Sequence, residues 1–300
     1  MLEYLMYFGA VFLATVFPLR PLYWIARRIA DIHHFFDRKG RAAVKENLRV
    51  MTGGKLDDKA LKKSVKQTYY HFSLYLAEFF RMKRLDREYF DSHVKIVGIE
   101  KVDAALEQGK GVVIVSAHYS NWELGLAYLC MSGYPSYVIV ASHKNKKVND
   151  LFLGPRINAG ARPIPTENAI EEGYRALQSN GILILLADRV TTKGGVETTF
   201  FGHTATFPKG PAKFAIGARA PLMPAYIIRQ PGNTFILTFD DPIYTDDMSD
   251  DEESVRRLMN AYARRFEAYI RRDPTQYGVF YKIWKDADNP VRSVQNKNPV

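Results

Sequence analysis

The sequence predicts an α/β protein in which strands and helices alternate along the chain. Six short apolar runs have the length and β-branched content of buried strands. Most of them are separated by stretches with the periodicity of amphipathic helices, and this alternation is typical of a sheet flanked by helices. The predicted strands are residues 94–97, 112–115, 137–140, 182–186, 222–228 and 235–239.

The composition is that of a folded protein with a sizeable core. The chain has 300 residues, of which 47% are hydrophobic and 13% aromatic. Cys130 is the single cysteine, so no intrachain disulfide can form, and its apolar neighbours indicate a buried side chain rather than a nucleophile. The net charge of +10 fits a nucleic acid, an anionic membrane or an acidic substrate as partner.

The N-terminal segment has the pattern of a membrane anchor. Residues 4–19 are apolar and free of charge. This length is just short of the ~20 residues that span a bilayer, so a tightly fitted span and an interfacial helix are both open, beside the alternative of a core helix. Glu3 and the lack of a cleavage site argue against a signal peptide. Basic and aromatic residues follow at once: Arg20, Tyr23, Trp24, Arg27 and Arg28.

Four further stretches have helical periodicity. Residues 56–83 predict a long helix or a helical hairpin whose aromatic stripe faces the core. Residues 101–108, 168–179 and 254–272 predict helices between or after the strands. We therefore divide the chain into a membrane anchor (1–30), a helical region (31–90), an α/β domain (91–285) and a disordered tail (286–300).

The strongest chemical motif begins at the strand predicted over residues 112–115. His118 follows the exit of this strand, Asn121 is placed to cap the next helix, and Glu123 lies in the first turn of that helix. A histidine at such a place can take a proton from a hydroxyl while a carboxylate fixes its tautomer. The spacing predicts a catalytic dyad of His118 and Glu123. The structural alternative is a polar corner at which both side chains satisfy backbone groups.

Two other polar groups follow predicted strands. Residues 142–147 form a basic loop whose cations could hold a phosphate or a carrier, or could simply face water. Asp188 and Arg189 end the strand at residues 182–186, where Arg189 could bind an anionic acceptor or pair internally with Asp188.

Metal and nucleotide sites are not indicated. The seven histidines show no zinc spacing, even at His33 and His34, and no Cys-x-x-Cys or His-Glu-x-x-His occurs. No glycine-rich phosphate loop follows a strand. We therefore expect neither a metal nor a cofactor.

A second block of motifs gives the sequence a family resemblance. It consists of Leu186-Ala187-Asp188-Arg189, Gly194-Gly195, Phe200-Phe201-Gly202 and Pro208-Lys209-Gly210-Pro211. With the His-x4-Glu motif, this block resembles the lipid A late acyltransferases (lauroyl/myristoyl acyltransferases), a family that also includes phosphatidylinositol mannoside acyltransferases and lies in the lysophospholipid acyltransferase superfamily. The likeness extends from the N-terminal apolar segment through Arg41 and Asn47 to Pro274-Thr275-Gln276-Tyr277 and Trp284-Lys285.

The resemblance implies a glycerol-3-phosphate acyltransferase-like mixed sheet with a membrane-associated N-terminal helix. It further implies transfer of a fatty acyl chain from an acyl-carrier-protein or coenzyme A thioester to a hydroxyl of a membrane glycolipid such as a lipid A precursor. His118 would be the general base and Glu123 its partner. The enzyme would act at the cytoplasmic face of the inner membrane. The substrate contacts would be Asn121, Lys144, Asn145, Arg156, Asp188 and Arg189.

Two departures keep the acceptor lipid open. The chain reads Asp188-Arg189-Val190 where many relatives carry a second aspartate, and residues 278–285 lack the basic run of those relatives. A noncatalytic lipid-binding or assembly protein on the same fold is the second hypothesis, against which the intact His118 and Glu123 argue. A nucleic-acid-binding protein, the third, would not need the apolar N-terminus.

Overall fold

Strands and helices alternate between residues 94 and 239, as the sequence predicts. The computed structural model describes residues 2–189 and 195–284 of the chain, with side chains from residue 4 onward. The helices of this part are α1 (Leu2–Val16), α2 (Leu19–Phe36), α3 (Arg38–Met51), α4 (Asp58–Phe80), α5 (Arg87–His93), α6 (Ile99–Leu106), α7 (Trp122–Met131), α8 (Lys146–Asn158), α9 (Ala169–Gln178), α10 (Gly210–Ala218) and α11 (Glu252–Ile270). The strands are β1 (Val94–Val97), β2 (Val112–Ser116), β3 (Ser136–Val140), β4 (Arg162–Pro165), β5 (Ile182–Leu186), β6 (Gly195–Phe200), β7 (His203–Pro208), β8 (Leu222–Arg229) and β9 (Phe235–Phe239).

The main sheet has seven strands in the order β1-β9-β8-β2-β5-β3-β4. Strands β8 and β9 are antiparallel, and the other neighbours are parallel, so the sheet is mixed. Strand β2 lies at the centre, with Ser116 opposite Leu186 at the end of β5. Because these neighbours are parallel and in register, the residues that follow them emerge side by side at one edge.

Both faces of the sheet are covered, which explains the uninterrupted apolar strands. Val113 and Val115 of β2 face a core shared with α9, α10 and α11, whereas Val112 and Ile114 face a core shared with α6 and α7. Each fully buried aliphatic side chain contributes about 1.5–3 kcal/mol to folding. The strand ends are therefore rigid supports for the loops that follow them.

All six predicted strands are present, and three more were missed. Strand β4 contains Pro163 and Pro165 and lies at the sheet edge, where prolines are tolerated. Strands β6 and β7 form a separate hairpin, in which the exposed Thr199, Thr204 and Thr206 alternate with buried residues. The stretch at residues 56–83 contains one long helix, α4, rather than a helical hairpin.

The predicted apolar segment at residues 4–19 is divided between two helices that break at Pro18. Helix α1 is not a buried core helix, because Phe8 is 50% and Phe12 57% exposed. No helix within residues 2–189 and 195–284 combines the length and the apolarity that a transmembrane passage requires. Three parts of the sequence discussed above lie outside the described residues: Gly194, Lys285 and the tail predicted over residues 286–300.

Candidate active site

The centre of the site is a pair of side chains at the ends of β2 and β5. His118 lies two residues beyond β2, and Asp188 lies two residues beyond β5. His118 Nδ1 is 2.8 Å from Asp188 Oδ1, and the backbone N–H of His118 donates to Asp188 Oδ2 at 2.8 Å. One carboxylate therefore holds both the ring and the backbone of His118.

The environment of this pair fixes the roles of the two ring nitrogens. The Asp188 side chain is 0% exposed and that of His118 is 21% exposed. Burial alone would raise the pKa of Asp188, but His118 and its hydrogen bonds hold that pKa below the usual value. The ionised carboxylate keeps a proton on Nδ1 of His118. Nε2 is then the nitrogen able to accept a proton from a substrate.

The C-terminal segment holds the loop that carries His118. The backbone N–H of Gly278 donates to the carbonyl of His118 at 2.9 Å, and that of Ser120 donates to the carbonyl of Gln276 at 2.8 Å. Tyr277 is buried close to Asp188, and burial together with that negative charge raises its pKa well above the usual value. The Tyr277 hydroxyl therefore stays protonated beside the carboxylate.

Glu123, the expected partner of His118, has a different neighbour. Its carboxylate accepts hydrogen bonds from Arg156 Nε at 3.0 Å and Nη2 at 2.5 Å, and from the Trp122 indole N–H at 3.1 Å. The position predicted for Glu123 at His118 Nδ1 is occupied by Asp188. The physical reason is the sheet register, which places the ends of β2 and β5 together, whereas α7 directs Glu123 toward α8.

Asn121 also differs from its predicted role. It is the first flanking residue of α7, but its side chain makes no capping hydrogen bond. Instead its amide donates to Glu78 Oε2 at 2.8 Å, and the residue is only 1% exposed. Asn121 is thus turned away from solvent, toward α4.

The other predicted substrate contacts are dispersed. Lys144 is exposed in the loop before α8, and the Asn145 side chain caps that helix by accepting from the backbone of Lys147 at 3.0 Å. Arg156 lies in α8 and forms an ion pair with Glu123 of α7. Its link to the site is through that ion pair. Arg189 is exposed next to Asp188, with its guanidinium 5.4 Å from the Tyr281 ring centroid.

Trp122 borders both His118 and a small apolar cavity of about 30 Å³, and sequence reasoning missed this residue. Its ring packs edge-on to the His118 ring with centroids 5.0 Å apart. The cavity runs from there between α7 and the sheet. An aromatic residue inside the His-x4-Glu motif was the available signal. The lining consists of Ile114, Ser116, Trp122, Gly125, Leu126, Leu129, Ile184, Ala225, Tyr226, Ile227, Leu237 and Phe239.

Other chemistries find little support in these side chains. Burial raises the pKa of the Cys130 thiol to about 11, so the reactive thiolate is scarce at neutral pH. Across residues 2–189 and 195–284, no three His, Cys, Asp or Glu side chains are grouped so that they could hold a metal ion. The arrangement can therefore supply a general base and an apolar slot.

The sequence is similar to those of known acyltransferases. The family model described as "Bacterial lipid A biosynthesis acyltransferase" matches residues 1–286. A phosphatidylinositol mannoside acyltransferase of Mycolicibacterium smegmatis is 25% identical over 217 residues, which are 71% of this chain and 69% of that protein. Proteins of the same name from two strains of Mycobacterium tuberculosis are 28% identical over 162 residues, 52% of this chain and 51% of each relative. The match thus spans about half the length of the M. tuberculosis proteins.

Proposed function

The chain belongs to the bacterial lipid A biosynthesis acyltransferase family, and from this premise we propose that it transfers a fatty acyl chain from a thioester to a hydroxyl of a membrane glycolipid. The observation that carries the proposal is the hydrogen-bonded pair of His118 and Asp188 beside an apolar cavity. The names of the mycobacterial relatives favour a glycosylated membrane lipid as acceptor. An acyl-carrier protein or coenzyme A would carry the acyl donor.

The reaction is a direct transfer that His118 assists as general base. Nε2 removes the proton of the acceptor hydroxyl while its oxygen forms a bond to the thioester carbonyl carbon. As the tetrahedral intermediate collapses, the carbon–sulfur bond breaks, and the imidazolium returns the proton to the leaving thiolate. Asp188 keeps the ring in the required tautomer and stabilises the imidazolium.

The cavity beside Trp122 is the proposed place of the acyl chain. Its lining is almost entirely aliphatic and aromatic, and Trp122 lies between it and the His118 ring. The cavity holds about 30 Å³, roughly the volume of one water molecule. An acyl chain that extends from a thioester at His118 would therefore have to widen this gap by moving α7 away from the sheet. Burial of each methylene in such a slot contributes about 0.8 kcal/mol.

The remaining predicted residues take supporting roles. Glu123 and Arg156 form an ion pair whose side chains are 4% and 15% exposed, and this pair holds Trp122 through the indole N–H. Arg189 is the exposed cation beside the dyad and is proposed to contact an anionic group of the acceptor or carrier. Lys144 lies on the exposed loop before α8 and is a further candidate for the carrier.

The N-terminal helices are proposed to hold the protein at the membrane surface. Apolar side chains of both helices are exposed, and Arg20 and Arg27 are exposed among them, a pattern suited to the headgroup region of a cytoplasmic membrane. The acceptor lipid would reach the dyad from this surface. The exposed apolar residues are Leu5, Met6, Phe8, Phe12, Val16, Trp24, Ile29, Ile32, Phe35 and Phe36.

Lipid mass spectrometry of the encoding bacterium, with the gene deleted and then restored, tests the function. We expect one membrane glycolipid to lose a single acyl chain on deletion and the wild-type gene to restore it. His118→Ala and Asp188→Asn should fail to restore it, because loss of a general base or its partner costs about 10²–10⁴ in rate.

A histidine outside the site provides the control. His93→Ala removes an imidazole that stacks on Tyr89 at the end of α5, and this variant should restore the lipid fully. Full restoration by both dyad variants would refute the mechanism. An unchanged lipid profile on deletion would refute the function and favour a lipid-binding or assembly protein.

A further inference from the structure

A buried charge pair lies outside the active site, where α4 meets the end of β8. Arg229 donates from Nη1 to Glu78 Oε1 at 2.8 Å and from Nη2 to Glu78 Oε2 at 2.7 Å. The Glu78 side chain is 3% exposed and the Arg229 side chain 5% exposed. Two well-packed apolar side chains would often be no less stable than such a pair, so its presence calls for a reason.

Both oxygens of Glu78 are further engaged by groups from other elements. The Tyr23 hydroxyl of α2 donates to Oε1, and the Asn121 amide donates to Oε2 at 2.8 Å. Three side chains thus converge on the Glu78 carboxylate. We name Tyr23, Glu78, Asn121 and Arg229 the Glu78 cluster.

The cluster is joined to the His118 loop at two adjacent residues. Asn121 belongs both to the cluster and to the loop, through its hydrogen bond to Glu78. The backbone N–H of Arg229 is 3.2 Å from the Ser120 hydroxyl and donates to Gln276 Oε1 at 2.9 Å. Ser120 has φ = 56°, in the left-handed region that non-glycine residues rarely adopt. Such a conformation persists only where its surroundings impose it.

We propose that the Glu78 cluster positions the catalytic dyad by holding residues 119–121 in this strained turn. Asp188 fixes the ring and the backbone N–H of His118 on one side, and the cluster fixes the following turn on the other. The members of the cluster are buried and hydrogen-bond to one another, so they act on the reaction through the position of His118. This inference rests on the proposed function for its kinetic readout.

Asn121→Ala is the cleanest variant for the test. It removes the hydrogen bond to Glu78 but leaves that carboxylate paired with Arg229 and Tyr23, and no helix-capping bond is lost. We expect kcat to fall at least tenfold with the KM for the thioester donor within twofold. Val102→Ala, a fully buried truncation in α6, controls for loss of stability and should keep the wild-type kcat.

The triple variant Glu78→Leu, Arg229→Met and Tyr23→Phe separates positioning from stability. It replaces the charges by apolar groups of similar size, which is often neutral or stabilising, but it leaves the buried Asn121 amide unpaired, which costs stability. The thermal midpoint should therefore fall by no more than it does for a single buried truncation, and the variant should stay folded. Asn121 then loses its acceptor, and kcat should again fall at least tenfold. A folded triple variant with wild-type kcat would overturn the proposal.

A readout independent of acyl transfer distinguishes this proposal from the proposed function. Diethyl pyrocarbonate acylates accessible imidazole nitrogens, and its reaction with His118 is followed by peptide mass spectrometry. We expect His118 to react at least threefold faster in Asn121→Ala and in the triple variant, but not in Val102→Ala. An inactive wild type would refute the function alone, whereas unchanged His118 reactivity in the folded variants would refute the positioning role.

Discussion

At the scale of single residues, the identity of the His118 partner depends on strand order rather than on distance along the chain. Asp188 is far from His118 in sequence, yet β2 and β5 are parallel neighbours in register, so both residues stand two positions past paired strand ends. Glu123 is close in sequence but is paired with Arg156. A motif defined by sequence spacing therefore does not identify the group that orients His118.

His71 in α4 is another partly buried histidine, and its environment predicts an acid-sensitive fold. Burial lowers its pKa to about 4, and its Nδ1 is buried without a hydrogen-bond partner among the described residues. The unfolded chain binds a proton near pH 6.5, but the folded chain does not until about pH 4. The contribution of neutral His71 to the free energy of unfolding is therefore fully present above pH 6.5 and is lost as the pH falls from 6.5 to about 4.

His71→Gln should flatten this part of the stability curve. Between pH 7 and pH 5 we expect the wild type to lose about 2 kcal/mol more free energy of unfolding than the variant. Urea denaturation at a series of pH values measures the difference. Above pH 7 the difference in free energy of unfolding between the two proteins should no longer change with pH. A difference that stays the same down to pH 5 would contradict the assignment.

At the scale of elements, the central strands were predictable and the hairpin was not. Strands such as β2 are apolar throughout because both sheet faces are covered, and this signal needs no knowledge of the fold. The hairpin of β6 and β7 has a weak alternating pattern, and its turn at Phe201-Gly202 requires φ values of 54° and 78°. Two positive φ angles define a type I′ turn, which usually has Asn-Gly rather than Phe-Gly.

The same hairpin explains part of the family-like motif block in physical terms. Phe200 stacks on Trp284 with ring centroids 5.8 Å apart, and the Trp284 indole donates to the carbonyl of Phe200 at 2.8 Å. Asn47 donates to the carbonyl of Tyr281 at 2.8 Å. These residues tie the C-terminal segment to the body of the protein, and that segment in turn holds the His118 loop. Such long-range contacts are not readable from local pattern.

Helix α7 carries the prediction that concerns the acyl chain. Gly125 lines the cavity, and an added Cβ would meet Leu237 Cδ1 at 3.4 Å, close to ordinary contact. The Gly125→Leu side chain is larger than this cavity of about 30 Å³ and closes it completely. The overpacking costs about 1–3 kcal/mol, which the gain of up to about 1 kcal/mol in helix propensity partly offsets. We expect activity with a palmitoyl thioester to fall at least tenfold and activity with an octanoyl thioester to change less than threefold.

The matched control is a helical glycine with open space around it. Gly154→Leu in α8 places its Cβ where nothing lies within 4 Å. This variant should leave the ratio of the two activities unchanged. Equal loss of both activities in Gly125→Leu would argue against an acyl chain in this cavity.

At the scale of the whole molecule, the N-terminal helices are joined to the α/β part of the protein through the Glu78 cluster and helix α8. Tyr23 of α2 reaches Glu78, and Tyr7 of α1 packs against Phe152 of α8 with ring centroids 5.0 Å apart. Lys147, a residue of the predicted basic loop that lies in the first turn of α8, has its Nζ 5.5 Å from the ring centroid of Tyr4. The apolar N-terminus, the basic loop and the helix that carries Arg156 thus form one continuous side of the protein. The sequence predicted the apolar N-terminus and the basic loop, but not that they are adjacent.

This side leads to a prediction about membrane binding that does not depend on activity. Phe35 and Phe36 are 71% and 75% exposed at the end of α2. Burial of two such side chains contributes a few kcal/mol, so Phe35→Ser with Phe36→Ser should weaken binding to phosphatidylcholine vesicles containing phosphatidylglycerol at least tenfold. Co-sedimentation measures the partition coefficient. Ile170→Ser in α9, a residue that is also 75% exposed, is the matched control and should bind as the wild type does.

The charges at the same surface should act only on anionic membranes. Each basic side chain near a charged bilayer contributes about 1 kcal/mol, so Arg20→Gln with Arg27→Gln should weaken binding to the phosphatidylglycerol vesicles roughly 30-fold. Binding to pure phosphatidylcholine should be unchanged, and added salt should abolish the difference because the Debye length shrinks. Equal binding of the phenylalanine variant, the arginine variant and the wild type would show that the bilayer contacts some other face of the protein.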